Sequence, residues 1–216
     1  MSLSPSVKFR FSPELANSLT HGAGALVAVV ASAQLLQEAW GTRLVAWCAL
    51  YSATLIAVYL FSTLSHAIHE PEARQLFRAL DQGTIYGLIA GTYTPFAAYY
   101  LSAPVVWWLL GAMWLAAMVG FWSKAVAKHR VEALATWSYI SLGWIPALSF
   151  IGYVPLALFV WIALGGVMYT LGTVFLMQDH RHPYLHAVWH LLVIAASACH
   201  YYAILQVVQR SSIAGL

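Results

Sequence analysis

Seven long apolar stretches run along the chain, separated by short connections rich in polar residues and proline. Each is close to the roughly 20 residues that a helix needs to cross a bilayer. Unbroken apolar runs such as 49–60 lack the alternation of a membrane β-strand. The pattern therefore predicts an all-α membrane protein, a seven-transmembrane-helix bundle that forms a single domain over residues 1–216. The predicted spans are 17–38, 44–69, 79–101, 104–123, 132–150, 154–177 and 184–208.

The composition agrees with this class and excludes others. Of 216 residues, 62% are hydrophobic and only 8% are charged, whereas a soluble domain has about 45–50% apolar and about 25% charged residues. Too little charge is available to cover a water-facing surface or to keep a chain disordered. Ten basic residues are also too few to form the basic surface that binds nucleic acid. Cys48 and Cys199 fall inside apolar stretches and are interpreted as small buried hydrophobic residues.

The basic residues predict the orientation, because cytoplasmic loops are enriched in lysine and arginine. Only two of the ten fall on one side of the predicted bundle, Arg43 and Arg210. We therefore expect a cytoplasmic N-terminus and an external C-terminus, which requires an odd number of spans. The eight basic residues on the predicted cytoplasmic side are Lys8, Arg10, Arg74, Arg78, Lys124, Lys128, Arg130 and Arg181.

Several ionisable residues fall at one depth below the predicted cytoplasmic face. At a rise of about 1.5 Å per residue, His66 lies near the end of the second span, and Asp81 near the start of the third. His186 and His190 lie near the start of the seventh span, and His21 near the start of the first. Ionisable residues inside membrane spans are rare, so each is a candidate for function.

The spacing of His186 and His190 suits a metal site. Residues four apart share a helix face, and neutral imidazoles there can bind one zinc ion. A catalytic zinc needs a third protein ligand, for which His66 is the best candidate, with Ser62 one turn away. Simpler interpretations stay open: the histidines could be interfacial polar residues, Asp81 could stabilise a helix start, and His21 could hydrogen-bond between helices.

Five short stretches make the chain similar to the bacterial haemolysin III family, within the progestin and adipoQ receptor superfamily. They occur in the family's order: ELANSLTH at 14–21, STLSH at 62–66, DQGTIY at 81–86, AGTYTPF at 90–96 and HAVWH at 186–190. The resemblance implies seven helices and a zinc ion held by His66, His186 and His190, with Asp81 and Ser62 beside it. Many bacterial relatives have histidine where this chain has Gln82, which argues against a proton-shuttling role at that position.

Two functions follow from these residues. In the first, the protein is a zinc-dependent hydrolase of a lipid amide or ester, for which the resemblance implies a ceramidase-like reaction and a link to membrane homeostasis. Asp81 then orients or deprotonates the attacking water, and Ser62 hydrogen-bonds the oxyanion or a ligand. In the second, the protein is a non-enzymatic membrane sensor or regulator, and zinc is a structural staple between the second and seventh helices.

Other classes of seven-helix protein fit the sequence less well. A retinal protein needs a lysine inside the bundle for its Schiff base, and the three lysines, Lys8, Lys124 and Lys128, include none in the last span. We expect membrane lipids as partners, no nucleic acid, and a location in a bacterial inner membrane. The sequence assigns no role to His21, Gln82 or His200.

Overall fold

A computed structural model describes residues 12–127 and 132–213, and side chains in the second range from residue 136. Within these ranges the secondary structure is entirely helical. It comprises α1 Pro13–Ala39, α2 Val45–Ala67, α3 Pro71–Tyr100, α4 Ala103–Ala125, α5 Glu132–Trp144, α6 Leu156–Met177 and α7 Leu185–Ile213, with two short 3₁₀ helices, Pro146–Phe150 and Asp179–Arg181. The predicted all-α class is confirmed.

Five of the helices, α1, α2, α4, α6 and α7, are long and apolar enough to cross a membrane. The helix α3 is less apolar because charged residues occupy its first turns, and glycine, threonine and tyrosine recur in the rest. Within the described part of the chain, α5 has 13 residues in α-helical form. The count of seven spans therefore stays a prediction.

Three helix ends lie five or more residues from the bounds of the predicted spans. Instead of beginning at 79, α3 starts at Pro71, because the Glu70 side chain accepts hydrogen bonds from the first free amides of the helix. The fifth α-helix ends at Trp144, before the predicted 150, because Pro146 cannot donate a backbone hydrogen bond. The last helix runs to Ile213, beyond the predicted 208.

Six helices pack in a ring whose order is α1, α2, α3, α5, α6 and α7, and α4 packs against α3. The helix α3 also contacts α7, so it touches more neighbours than most helices in the bundle. Because protein surrounds α3 on several sides, Thr92, Tyr93 and Thr94 in its second half are buried and face other helices. This explains how α3 can lie in a membrane bundle with so many polar side chains.

Consecutive helices run in opposite directions, so the start of α3 and the end of α4 lie at the same end of the bundle. Arg74, Arg78, Lys124 and Arg181 lie at this end, whereas Arg43 and Arg210 lie at the other. The remaining basic residues used to predict the orientation, Lys8, Arg10, Lys128 and Arg130, lie outside the described residues.

Candidate metal centre

Three histidines from two helices converge at the end of the bundle where α2 ends and α7 begins. One ring nitrogen from each of His66, His186 and His190 lies within 4.8 Å of the others. The rings stand edge to face, with centroids 4.7 to 5.2 Å apart. The structure thus brings together the three residues that the sequence proposes as ligands, which we call the histidine triad.

The triad is assembled through α1, since α2 and α7 both pack against that helix. His66 is in the last turn of α2, and His186 and His190 are in the first two turns of α7. His190 is almost fully buried and His66 is 8% exposed. Water therefore competes little for these two rings.

Each ring of the triad has its Nδ1 atom directed at an oxygen. His66 Nδ1 lies 2.8 Å from Glu14 Oε2, and His186 Nδ1 lies 3.1 Å from Asp179 Oδ2. His190 Nδ1 lies 3.2 Å from the Asn17 carbonyl and 3.1 Å from Thr20 Oγ1. Each ring is therefore anchored on one side, and no hydrogen bond within the described residues involves an Nε2 atom of the triad.

These oxygens fix the tautomers of the three neutral rings. Carboxylates and carbonyls only accept hydrogen bonds, and the Thr20 hydroxyl already donates to backbone carbonyls. Each Nδ1 must therefore carry the proton, which leaves the Nε2 lone pair for a metal. Nitrogens at about 2.1 Å from a tetrahedral zinc lie about 3.4 Å apart, and one ring nitrogen of each histidine lies within 4.8 Å of the other two. The residues present fit a zinc ion with three protein ligands.

Asp81 and Ser62 line the same cavity as His186 and His190. The Ser65 hydroxyl donates a hydrogen bond to Asp81 Oδ2, at 3.5 Å. Ser62 is 1% exposed, and its hydroxyl has no hydrogen-bond partner among the described residues. The structure places both residues on the cavity that His186 and His190 also line, and their catalytic roles stay predictions.

The cavity has a volume of about 440 Å³ and extends from the triad into the apolar interior of the ring. Ser62, Asp81 and His190 line it near one end of the bundle, and Phe96 and Phe159 line it near the other. Asp81 and Phe96 are fifteen residues apart on α3, which corresponds to about 22 Å. The space is long enough for an extended hydrocarbon chain whose polar end lies at the triad.

Three residues without an assigned role in the sequence also line the cavity. His21 stacks on His190, with ring centroids 3.6 Å apart, and neither of its ring nitrogens has a hydrogen-bond partner in the described part of the chain. Nε2 of His200 lies 3.0 Å from the Ile162 carbonyl. The Gln82 carbonyl accepts a hydrogen bond from Tyr139. None of the three belongs to the triad.

Sequence reasoning missed the oxygens that anchor the triad. Glu14 and Thr20 lie within the first recognised stretch but look like ordinary residues at a helix start, and Asp179 lies in a connection. All seven acidic residues of the chain lie inside or within three residues of a predicted span, so this position did not distinguish Glu14. Nothing in the sequence connected it with His66.

Comparison with known proteins finds sequence similarity over most of the chain. The family model described as "Haemolysin-III related" matches residues 9–201. "Hemolysin-3" of Bacillus cereus is 36% identical over 202 residues, covering 89% of this chain and 90% of the relative. "Hemolysin-3 homolog" of Bacillus subtilis (strain 168) is 33% identical over 209 residues, covering 91% and 95%.

A human protein is also similar. "Monocyte to macrophage differentiation factor" of Homo sapiens is 30% identical over 204 residues, covering 91% of this chain and 84% of the relative. The chain belongs to the haemolysin III family. With its apolar helices, this membership makes it an integral membrane protein.

Proposed function

We propose that this member of the haemolysin III family is a zinc-dependent hydrolase of a lipid amide or ester that acts in membrane homeostasis. The observation that carries the proposal is the triad itself, whose three Nδ1 atoms are anchored and whose Nε2 lone pairs remain available. When bound, zinc supplies Lewis-acid polarisation of a carbonyl and activation of water.

We place this chemistry in a single seven-helix domain over residues 1–216, with the N-terminus in the cytoplasm and the C-terminus outside. Support comes from the five apolar helices, from the enclosed position of α3, and from basic residues gathered at the triad's end of the bundle. The bacterial relatives favour a bacterial inner membrane. The triad then lies near the cytoplasmic interface, at the depth of a lipid's polar linkage.

The protein's own residues have separate tasks in this reaction. His66, His186 and His190 hold the metal. The Asp81 carboxylate accepts a proton from the attacking water and keeps it oriented toward the acyl carbon. The Ser62 hydroxyl donates a hydrogen bond to the oxygen on which negative charge develops. The apolar cavity holds the acyl chain and excludes bulk water.

The first experiment measures metal content by mass spectrometry on the protein purified in detergent. We expect close to one zinc per wild-type chain and almost none in the double variant His186→Ala, His190→Ala. The matched control is His180→Ala, His182→Ala, which removes two exposed histidines from the same region and should retain zinc. A wild-type protein without metal after zinc supplementation contradicts the proposal.

Catalysis is tested separately with Asp81→Asn in a screen of lipid amides and esters. This variant keeps the size of the side chain and removes the proton acceptor, so turnover should be lost while zinc stays bound. Turnover at the wild-type rate in Asp81→Asn shows that the mechanism is wrong.

A non-enzymatic membrane sensor or regulator is the second candidate, because the triad joins α2 to α7, and zinc there could act as a structural staple between helices. In that case, a cellular phenotype is lost in His186→Ala and retained in Asp81→Asn. The hydrolase predicts that both variants lose the phenotype.

A further inference from the structure

The Glu14 carboxylate, in the first turn of α1, connects three helices beside the triad. Its Oε2 atom lies 2.8 Å from His66 Nδ1 on α2. Its Oε1 atom accepts a hydrogen bond from the Arg74 guanidinium on α3, and Arg78 lies 4.0 Å from the same atom. Both carboxylate oxygens are therefore engaged, each on a different helix.

Arg74 is itself fixed next to the ligand that Glu14 contacts. Its Nε atom donates a hydrogen bond to the Ser65 carbonyl at 3.3 Å, one residue before His66. The Glu14 carboxylate is thus held between the Arg74 guanidinium on α3 and the His66 imidazole on α2, two helices that pack against each other. This arrangement leaves little freedom for the plane of the carboxylate.

Stability alone does not account for this network. The Glu14 side chain is 41% exposed, and ion pairs between partly exposed side chains contribute little to folding. A carboxylate on the Nδ1 of a metal-binding histidine has a different effect, because it fixes the ring orientation and makes the other nitrogen a stronger ligand. Loss of such a partner typically weakens metal binding by about 10- to 100-fold.

We infer that Glu14 is a positioning residue of the metal centre, which acts on the metal through His66, and that Arg74 holds Glu14 in place. This inference rests on the proposed binding of zinc by the triad. The start of α1 then sets the zinc affinity of a site whose ligands all belong to other helices.

The test is a competition titration of the full-length protein in detergent against a chromophoric zinc chelator. We expect Glu14→Gln to bind zinc about 10- to 100-fold more weakly than the wild type, with one zinc still bound at saturation. The matched control is Glu72→Gln, which removes an exposed carboxylate at the same end of the bundle and should bind as the wild type does. Equal affinity of Glu14→Gln and the wild type overturns the inference.

If the proposed function is wrong because the triad does not bind zinc, the wild-type protein itself binds no zinc in this titration. This outcome overturns both proposals. A wild type that binds zinc and a Glu14→Gln variant of unchanged affinity overturn only the role of Glu14.

Arg74→Gln tests the second part of the inference. If Arg74 acts through Glu14, its substitution weakens zinc binding in the wild type and causes no further loss in Glu14→Gln. Additive losses in the double variant overturn the proposed coupling.

Two further measurements separate positioning from a structural role. Thermal unfolding of the chelator-treated proteins should be the same for Glu14→Gln and Glu72→Gln. With Co²⁺ in place of zinc, the visible absorption spectrum of Glu14→Gln should differ from that of the wild type, since the His66 ring is less constrained. A metal-free Glu14→Gln protein that unfolds well below Glu72→Gln, with an unchanged Co²⁺ spectrum, contradicts positioning.

Discussion

Gly172 on α6 allows Trp189 of α7 to pack directly against the α6 backbone, one residue before His190, which we propose as a metal ligand. A Cβ atom at position 172 would lie 2.5 Å from Cε3 and 2.7 Å from Cζ3 of the indole. Carbon atoms in contact are about 3.5–4.0 Å apart, so Gly172→Ala requires the indole or α7 to move by about 1 Å. Trp189 is buried, so it has little space into which to move.

The expected change in stability combines two opposing effects. Overpacking of a buried contact costs about 1–3 kcal/mol, and replacing glycine by alanine in a helix gains about 0.5–1 kcal/mol. A net loss of about 1 kcal/mol corresponds to a melting temperature about 2–4 °C lower for a chain of this length. The zinc affinity should fall as well, because Trp189 lies between His186 and His190 on α7.

The matched control is Gly111→Ala on α4, where a Cβ atom would meet nothing within 4 Å. This variant receives only the gain in helix stability, so its melting temperature should equal or exceed that of the wild type. Both variants are measured by thermal unfolding in the same detergent, with and without zinc. If Gly172→Ala is as stable as Gly111→Ala, the indole repacks without cost and the argument is refuted.

Two further predictions concern the caps of the helices that carry Glu14 and Arg74. Ser12→Ala removes the hydrogen bond from the Leu15 amide to the serine hydroxyl, at 3.1 Å, and should lower the free energy of unfolding by about 1 kcal/mol; a melting temperature equal to that of the wild type contradicts this. Glu70→Ala should increase hydrogen exchange at the amides of Ala73 and Glu72, which donate to the Glu70 carboxylate. These bonds lower the pKa of Glu70. Their stabilisation is therefore present above the pKa of Glu70 in the unfolded chain and is lost as the pH falls through its pKa in the folded protein. If the protection of these two amides from exchange is the same in acid, the cap does not form.

The helical class could be predicted from the sequence because it depends on local properties. The length of each apolar run follows from the thickness of the bilayer, and the spacing of His186 and His190 follows from the helical repeat. Both quantities are fixed by residues close in sequence. At Pro71, the Glu70 cap extends the helix into a charged segment that lies before the predicted span of 79–101 and that hydropathy alone excludes.

The partners of the histidines depend on contacts between distant segments. His66 and Glu14 are 52 residues apart, and His190 and Asn17 are 173 residues apart. The hydrophobic periodicity of α1, α2 and α7 does not specify which face of α1 packs against α2 and which packs against α7. The sequence by itself therefore determined the helices and a set of candidate ligands. Only the packing of α2 and α7 against α1 decided that the rings converge, which tautomer each adopts, and which oxygens hold them.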